Sequence, residues 1–236
     1  MLNRRACDLT THDRAEIIRQ SEIGVGLDPE TLLLLARGSA GVDVRRRRFV
    51  YRRGDVADAL YVSVRGRVKI CSIAEDCVRE AVIDIVGPGA LFGESALYAT
   101  GTREKNAIAF ENARLLRIPV GVYREGMAAS RELYDYTFRM VGQRLSRAER
   151  RVADFALDAI PARLDKLLAE LSERYGQNKP EGVLIDIALP HREIASIVGS
   201  TRESVTVRLN ALRRAGIIDF VDRKILIKTP AAPAAA

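Results

Sequence analysis

The chain has 236 residues, with 38 Lys and Arg against 31 Asp and Glu, a formal net charge of +7 and a pI near 9.6, a balance that suits a polyanionic partner. Hydrophobic residues make up 47%, enough for the core of one large or two modest domains. No apolar run approaches the roughly 20 residues of a membrane span, and the charged stretch from Met1 to Gln20 has no signal-peptide core, so a cytoplasmic protein without a membrane is expected. Cys7, Cys71, Cys77, His12 and His191 are too few and too scattered for a zinc site or a four-cysteine iron–sulfur cluster. The cysteines read as inert thiols, with a redox role for Cys71 and Cys77 as the alternative.

Residues 1–40 read as helical. From Gly41 to Pro119 the period changes to two. Tyr61–Val64, Gly66 and Val68–Ile70 read as a tight hairpin. Ala81–Val86 is a further strand, stopped by Gly87-Pro88-Gly89. Ala107–Phe110 and Leu115–Ile118 complete a run of short strands that predicts a small β-sandwich or roll. The run Arg45–Arg48 beside them reads as a solvated strand edge rather than a nucleic-acid contact.

A long helix is predicted from about Ser130 to Ile160. Tyr134, Phe138, Val141, Leu145, Ala148, Val152, Phe155 and Ala159 recur at alternating intervals of 4 and 3, the seam of a parallel dimeric coiled coil. A lone amphipathic helix packed on its own domain would show a wider, drifting stripe. Phe138, Leu145, Val152 and Ala159 take the a positions, and Val141, Ala148 and Phe155 take d. Arg144 is then a g residue whose counterpart is the e residue Glu149 of the partner subunit.

Pro161 opens a second helix with an apolar face of Leu164, Leu167, Leu168, Leu171 and Tyr175. Gly176–Pro180 reads as a turn-rich connector and Val183–Ile187 as a strand. Two helices follow, His191–Val198, ended by Gly199, and Arg202–Arg214, capped by Ser200 or Thr201. In the second, Val205, Leu209 and Leu212 fall on one buried face. A hairpin of Ile217–Val221 and Lys224–Lys228 completes a winged helix-turn-helix. Its second helix carries the expected DNA contacts: Thr201, Arg202, Glu203, Thr206, Val207, Arg208 and Arg213. Arg202 can fork onto a guanine and Glu203 can accept from a cytosine N4, whereas Arg208, Arg213 and Arg214 are expected on phosphates. The expected organisation is α+β: a β-roll (1–125), a dimerisation helix (126–160), a winged helix (161–229) and a disordered tail (230–236).

Phe92-Gly93-Glu94-Ser95, Ala107-Ile108-Ala109-Phe110 and Gly199-Ser200-Thr201-Arg202-Glu203-Ser204-Val205-Thr206 stand in an order, with a dimer helix between them, that resembles the CRP/FNR transcription regulators. The stretches Arg103–Phe110 and Gly199–Val205 look most similar to the cyanobacterial nitrogen-control branch. The resemblance implies a cyclic-nucleotide-binding-like jelly roll, a homodimer, a palindromic DNA site and RNA polymerase as a further partner. It also implies an effector pocket.

Cyclic-nucleotide sensors of the family use a Gly-Glu pair for ribose, an Arg-Ser pair for phosphate and Thr-Ser on the dimer helix for adenine. Gly93, Glu94 and Arg103 match, whereas Glu104 replaces the serine, and Ala148 and Glu149 replace the hydroxyls. The nitrogen-control relatives bind 2-oxoglutarate through two arginines and a glutamate, which Arg103, Arg144 and Glu149 match. Glu94-Ser95 departs from the apolar pair of that branch. The expected effector set is therefore Gly93, Glu94, Ser95, Arg103, Arg144 and Glu149, with 2-oxoglutarate as first expectation and cAMP, another small ligand or none as alternatives. No metal or resident cofactor is expected. An enzyme is not expected, because the chain offers no Ser-His-Asp set, P-loop or metal cluster. A cyclic-nucleotide-binding module without DNA binding would share the roll but would not carry residues 183–228. In the recognition helix, relatives carry an arginine at the position of Val207, and Arg208 points about 100° further round.

Overall fold

The computed structural model describes residues 4–75, 79–98 and 101–229, which fall into two units, one ending at Arg147 and one starting at Ala148. Cys77 and the tail from Pro230 lie outside the described residues.

The first unit opens with β1 (Arg4–Cys7), α1 (Thr11–Arg19) and α2 (Pro29–Gly38). Thr10 and Asp13 form a reciprocal capping box on α1. Asp28 caps α2, whose first position is the pre-organised Pro29. The roll then follows as β2 (Ala40–Val44), β3 (Phe49–Tyr51), β4 (Ala59–Arg65), β5 (Val68–Ile73), β6 (Glu80–Val86), β7 (Leu91–Phe92), the single turn α3 (Ser95–Tyr98), β8 (Asn106–Ala109) and β9 (Ala113–Pro119). These make two antiparallel sheets, ordered β1-β2-β9-β4-β7 and β3-β8-β5-β6.

The β4–β5 hairpin expected from the sequence does not form. β4 pairs with β7 and β9, and β5 pairs with β6 and β8, so the chain changes sheets at Gly66. Gly66 has φ +76°, and a Cβ there would lie 2.4 Å from the Asn112 carbonyl oxygen; only glycine passes the neighbouring turn so closely. Burial explains why β4 reads as a continuous apolar run. Leu60 and Val62 pack with Ile18, Leu35, Tyr123 and Leu133 on the helical side. Ala59 and Tyr61 pack with Tyr51, Val68, Phe92 and Ala107 between the sheets. The Arg45–Arg48 run is an exposed turn between β2 and β3.

After α4 (Val120–Ala129) comes α5 (Arg131–Leu157). Its inward face carries Leu133, Thr137 and Met140, with Tyr123 Oη 2.8 Å from Thr137 Oγ1. Most of the predicted seam occupies another face, with Phe138 71% exposed, Leu145 59%, Val152 69% and Phe155 48%, whereas Val141 packs against the core of the first unit. The helix is shorter than expected. It ends at Leu157, and Ala159 is the N-cap of the next helix, so the heptad stops at Phe155.

In the second unit, α6 (Ile160–Tyr175) begins with Pro161 in its first turn. Lys166 Nζ lies 2.5 Å from Asp154 and 2.6 Å from Asp158, tying the end of α5 to α6. The connector expected at Gly176–Pro180 is instead largely a strand, β10 (Gly176–Lys179), because it completes a sheet with β11 (Gly182–Ile185). Then come α7 (His191–Val198), α8 (Arg202–Arg214), β12 (Ile218–Val221) and β13 (Lys224–Lys228), in a sheet ordered β10-β11-β13-β12. Gly199 ends α7 in the left-handed conformation (φ +62°), and a Cβ there would stand 2.8 Å from the Phe155 ring. Leu164, Leu168, Ile194, Val198, Val205, Leu209 and Ile218 form the buried centre. No helix among the described residues is long and apolar enough to cross a membrane.

Candidate effector pocket and DNA-reading helix

The turn after β7 brings four of the six expected effector residues together. Gly93 has φ +83°, and an added Cβ would sit 3.2 Å from Arg103 Nη1. Arg103, which is 2% exposed, donates from Nη1 to the Gly93 carbonyl at 2.8 Å and from Nη2 to the Ala59 carbonyl. Its guanidinium lies 4.2 Å from the Tyr51 ring centroid, a cation–π contact strengthened by desolvation. Arg144, from the inward face of α5, forms an ion pair with Glu94 and donates to the Leu91 carbonyl at 2.5 Å. Burial works against the Arg144 charge, but Glu94 and Asp84 outweigh it and hold the guanidinium above its ordinary pKa.

Ser95 stands beside Glu94 as the first residue of α3, and Glu149 is exposed further along α5. Ser95 makes no contact with the two arginines among the described residues, where the Arg144 guanidinium is paired with Glu94. The Nε atoms of both Arg103 and Arg144 are buried without a hydrogen-bond partner. Each such donor costs about 1–3 kcal/mol when left unpaired. Two guanidiniums, each with one spare Nε donor, are the groups near Glu94 whose chemistry suits a small anion.

Sequence reasoning missed Tyr51, because no motif marks it. It reaches the pocket only through strand pairing, Tyr51 opposite Ala107, which sets β3 against the strand that follows Arg103. Tyr51, Tyr61 and Phe92 form a ring cluster, with Tyr61 and Phe92 stacked at 5.3 Å and Tyr51 5.9 Å from Tyr61.

The residues expected to contact DNA divide into two groups. Thr201 caps α8, accepting from Ser204 N at 3.2 Å. Arg202, Glu203 and Val207 are exposed, and Val207 is 67% exposed. The other expected contacts are engaged within the unit. Thr206 Oγ1 lies 2.8 Å from the Arg202 carbonyl and 2.8 Å from His191 Nδ1. Burial and the nearby Arg202 charge lower the His191 pKa, which favours the neutral ring there. Arg208 pairs with Asp165 at 2.6 Å and Arg213 with Asp219 at 3.1 Å.

The Asp165 pairing has a measurable consequence. Asp165→Asn should free Arg208 for a phosphate, tighten DNA binding at low salt and steepen the log affinity–log salt slope by about 0.9. An unchanged slope in a fluorescence-anisotropy salt series would mean that Arg208 does not reach the DNA backbone.

A β-roll followed by a winged helix-turn-helix defines the class of a two-domain DNA-binding regulator. Known proteins agree. The cyclic nucleotide-binding domain family matches residues 42–130, and the Crp-like helix-turn-helix domain family matches residues 162–232. The CRP-like cAMP-activated global transcriptional regulator of Mycobacterium tuberculosis is 29% identical over 212 residues, covering 90% of this chain and 94% of that one. The global nitrogen regulator of Synechococcus elongatus is 28% identical over 190 residues, covering 79% and 85%. The structure of a CRP/FNR family transcriptional regulator from Thermus thermophilus superposes with a TM-score of 0.63 at 27% identity, over 80% of this chain and 93% of that chain. The chain thus combines a cyclic nucleotide-binding domain with a Crp-like helix-turn-helix domain and is similar over most of its length to CRP-type DNA-binding transcription regulators.

Proposed function

We propose that the protein acts as a homodimer that reads a palindromic DNA site under the control of a small anionic effector, with residues 1–125 as sensor, 126–160 as dimer helix and 161–229 as the DNA-binding part. The observation that carries this reading is the double face of α5. Arg144 turns into the pocket, while its neighbour Leu145 stands on the exposed apolar seam. An anion that pulls on Arg144 therefore acts on the helix that meets the partner subunit. An effector that prefers one seam geometry shifts the dimer towards it. RNA polymerase is the further partner in this reading.

The sequence resemblance supports 2-oxoglutarate, whose two carboxylates suit Arg103 and Arg144. Glu149 of the partner subunit completes that expected set. The Glu94–Arg144 ion pair favours a second reading, a cyclic nucleotide. A dicarboxylate would have to compete with Glu94 for Arg144. A cyclic nucleotide brings one phosphate charge for Arg103 and hydroxyls that Glu94 can accept from. Calorimetric titration of the intact protein with 2-oxoglutarate and with cAMP separates the two.

The DNA part of the proposal rests on the exposed start of α8. Arg202 on a guanine O6/N7 should discriminate that base by about 1–3 kcal/mol. Binding-site selection with Arg202→Ala is expected to relax the outer guanine of each half-site. Val207 offers only apolar contact, and Val207→Arg should sharpen the position it faces. Unchanged base preferences in the Arg202→Ala selection would remove this arrangement of the recognition helix.

A further inference from the structure

Tyr51 sits in the pocket as a polar side chain without a polar task. It is 5% exposed, and its ring packs between the Arg103 guanidinium at 4.2 Å and the rings of Tyr61 and Phe92 at 5.9 and 6.3 Å. Its hydroxyl makes no hydrogen bond to a described residue and is not one of the side-chain atoms sealed from solvent without a partner, so its O–H is free to meet a ligand or water. The phenol lies within electrostatic reach of Arg103, Glu94, Tyr61 and Arg144, the groups that line the anion site. Phenylalanine would fill the same space without the hydroxyl. The hydroxyl is thus unexplained by the packing of the single chain, and it belongs to a ring that lies against the Arg103 guanidinium.

We propose that Tyr51 is a third anion-binding group of the effector pocket, its ring carrying the Arg103 guanidinium and its hydroxyl donating to the same carboxylate or phosphate oxygen. The proposal rests on the effector reading given above and adds to it a residue that selects ligands by their oxyanion. Burial keeps the phenol neutral, so it remains a donor at every physiological pH. A neutral O–H donor placed beside a guanidinium strengthens binding of an anion without adding charge, which suits a pocket where Glu94 already answers Arg144.

The test uses the intact protein, with calorimetric titration of 2-oxoglutarate and of cAMP into wild type, Tyr51→Phe, Tyr51→Leu and Arg103→Ala. Arg103→Ala reports whether the ligand occupies this pocket at all. Tyr51→Phe is expected to weaken the ligand that wild type binds by about tenfold, while its melting temperature without ligand stays at the wild-type value. Tyr51→Leu, which also removes the ring under Arg103, is expected to weaken it further. If Arg103→Ala abolishes binding and Tyr51→Phe binds like wild type, Tyr51 has no role as an anion donor and the pocket reading stands. A Tyr51→Phe chain that fails to fold overturns the proposal too, because the hydroxyl would then be a structural group. If wild type binds neither compound, or if Arg103→Ala binds like wild type, the pocket reading and the role of Tyr51 fall together.

Discussion

Leu145→Glu is expected to give a folded monomer that no longer holds its DNA site. Leu145 is 59% exposed in the single chain, so the substitution leaves the subunit's own packing intact, and surface changes of that kind cost within about 0.5 kcal/mol. In the proposed dimer the same position is an a site of the seam. Two-fold symmetry would place two carboxylates there, each stripped of water and each facing apolar Phe138, Val141, Ala148 and Val152 rather than a cation. The cost of burying unpaired charge runs to several kcal/mol, more than a seam of this length can absorb. DNA affinity should fall with it, because one winged helix reads only half of a palindrome. Sedimentation equilibrium and anisotropy on one palindromic duplex check both effects. A variant that remains dimeric and binds at wild-type affinity would move the dimer contact off this face of α5.

Arg103→Ala is expected to remove the effector response while leaving ligand-independent DNA binding in place. Arg103 lies buried at the centre of the proposed pocket. It bridges the Gly93 and Ala59 carbonyls and lies on Tyr51. Its loss deletes one of two guanidiniums available to an anion, and charge-assisted contacts of this type are the strong ones. It also leaves two carbonyls short of a donor, so a loss of stability of about 1–3 kcal/mol for each unpaired group accompanies it. A urea unfolding curve must therefore be measured beside the titration. The decisive quantity is the effector-induced change in DNA affinity, read on protein shown to be folded. Arg144→Ala should abolish the same response by a different route, since it leaves Glu94 without its counter-ion. Two variants that both respond to the effector like the parent would place the sensor elsewhere in the chain.

The sequence by itself determined what depends on local periodicity and punctuation. The interval of 4 and 3 along α5 follows from 3.6 residues per turn, so the exposed stripe from Phe138 to Phe155 was legible. Both helices of the helix-turn-helix were legible, because Gly199 is a chemical stop signal and Ser200 or Thr201 a start signal; the structure settles the cap on Thr201. Gly93, Glu94 and Arg103 were singled out only through resemblance to a family motif, and the fold brings Arg103 onto the Gly93 carbonyl.

Tertiary structure decided what depends on pairing between distant segments. Strand alternation carries no record of which strand is the neighbour, so the apparent β4–β5 hairpin proved to be a change of sheet at Gly66. The edge strand β10 formed from turn-like residues because β11 supplied its ladder. The ionic partners were invisible for the same reason. Arg144 met Glu94, 50 positions earlier in the numbering, and Arg208 met Asp165, 43 positions earlier. Tyr51 entered the pocket only because β3 lies beside β8. Long side chains choose among charges brought within a few ångströms by the folded backbone, and that choice exists only once the backbone has folded.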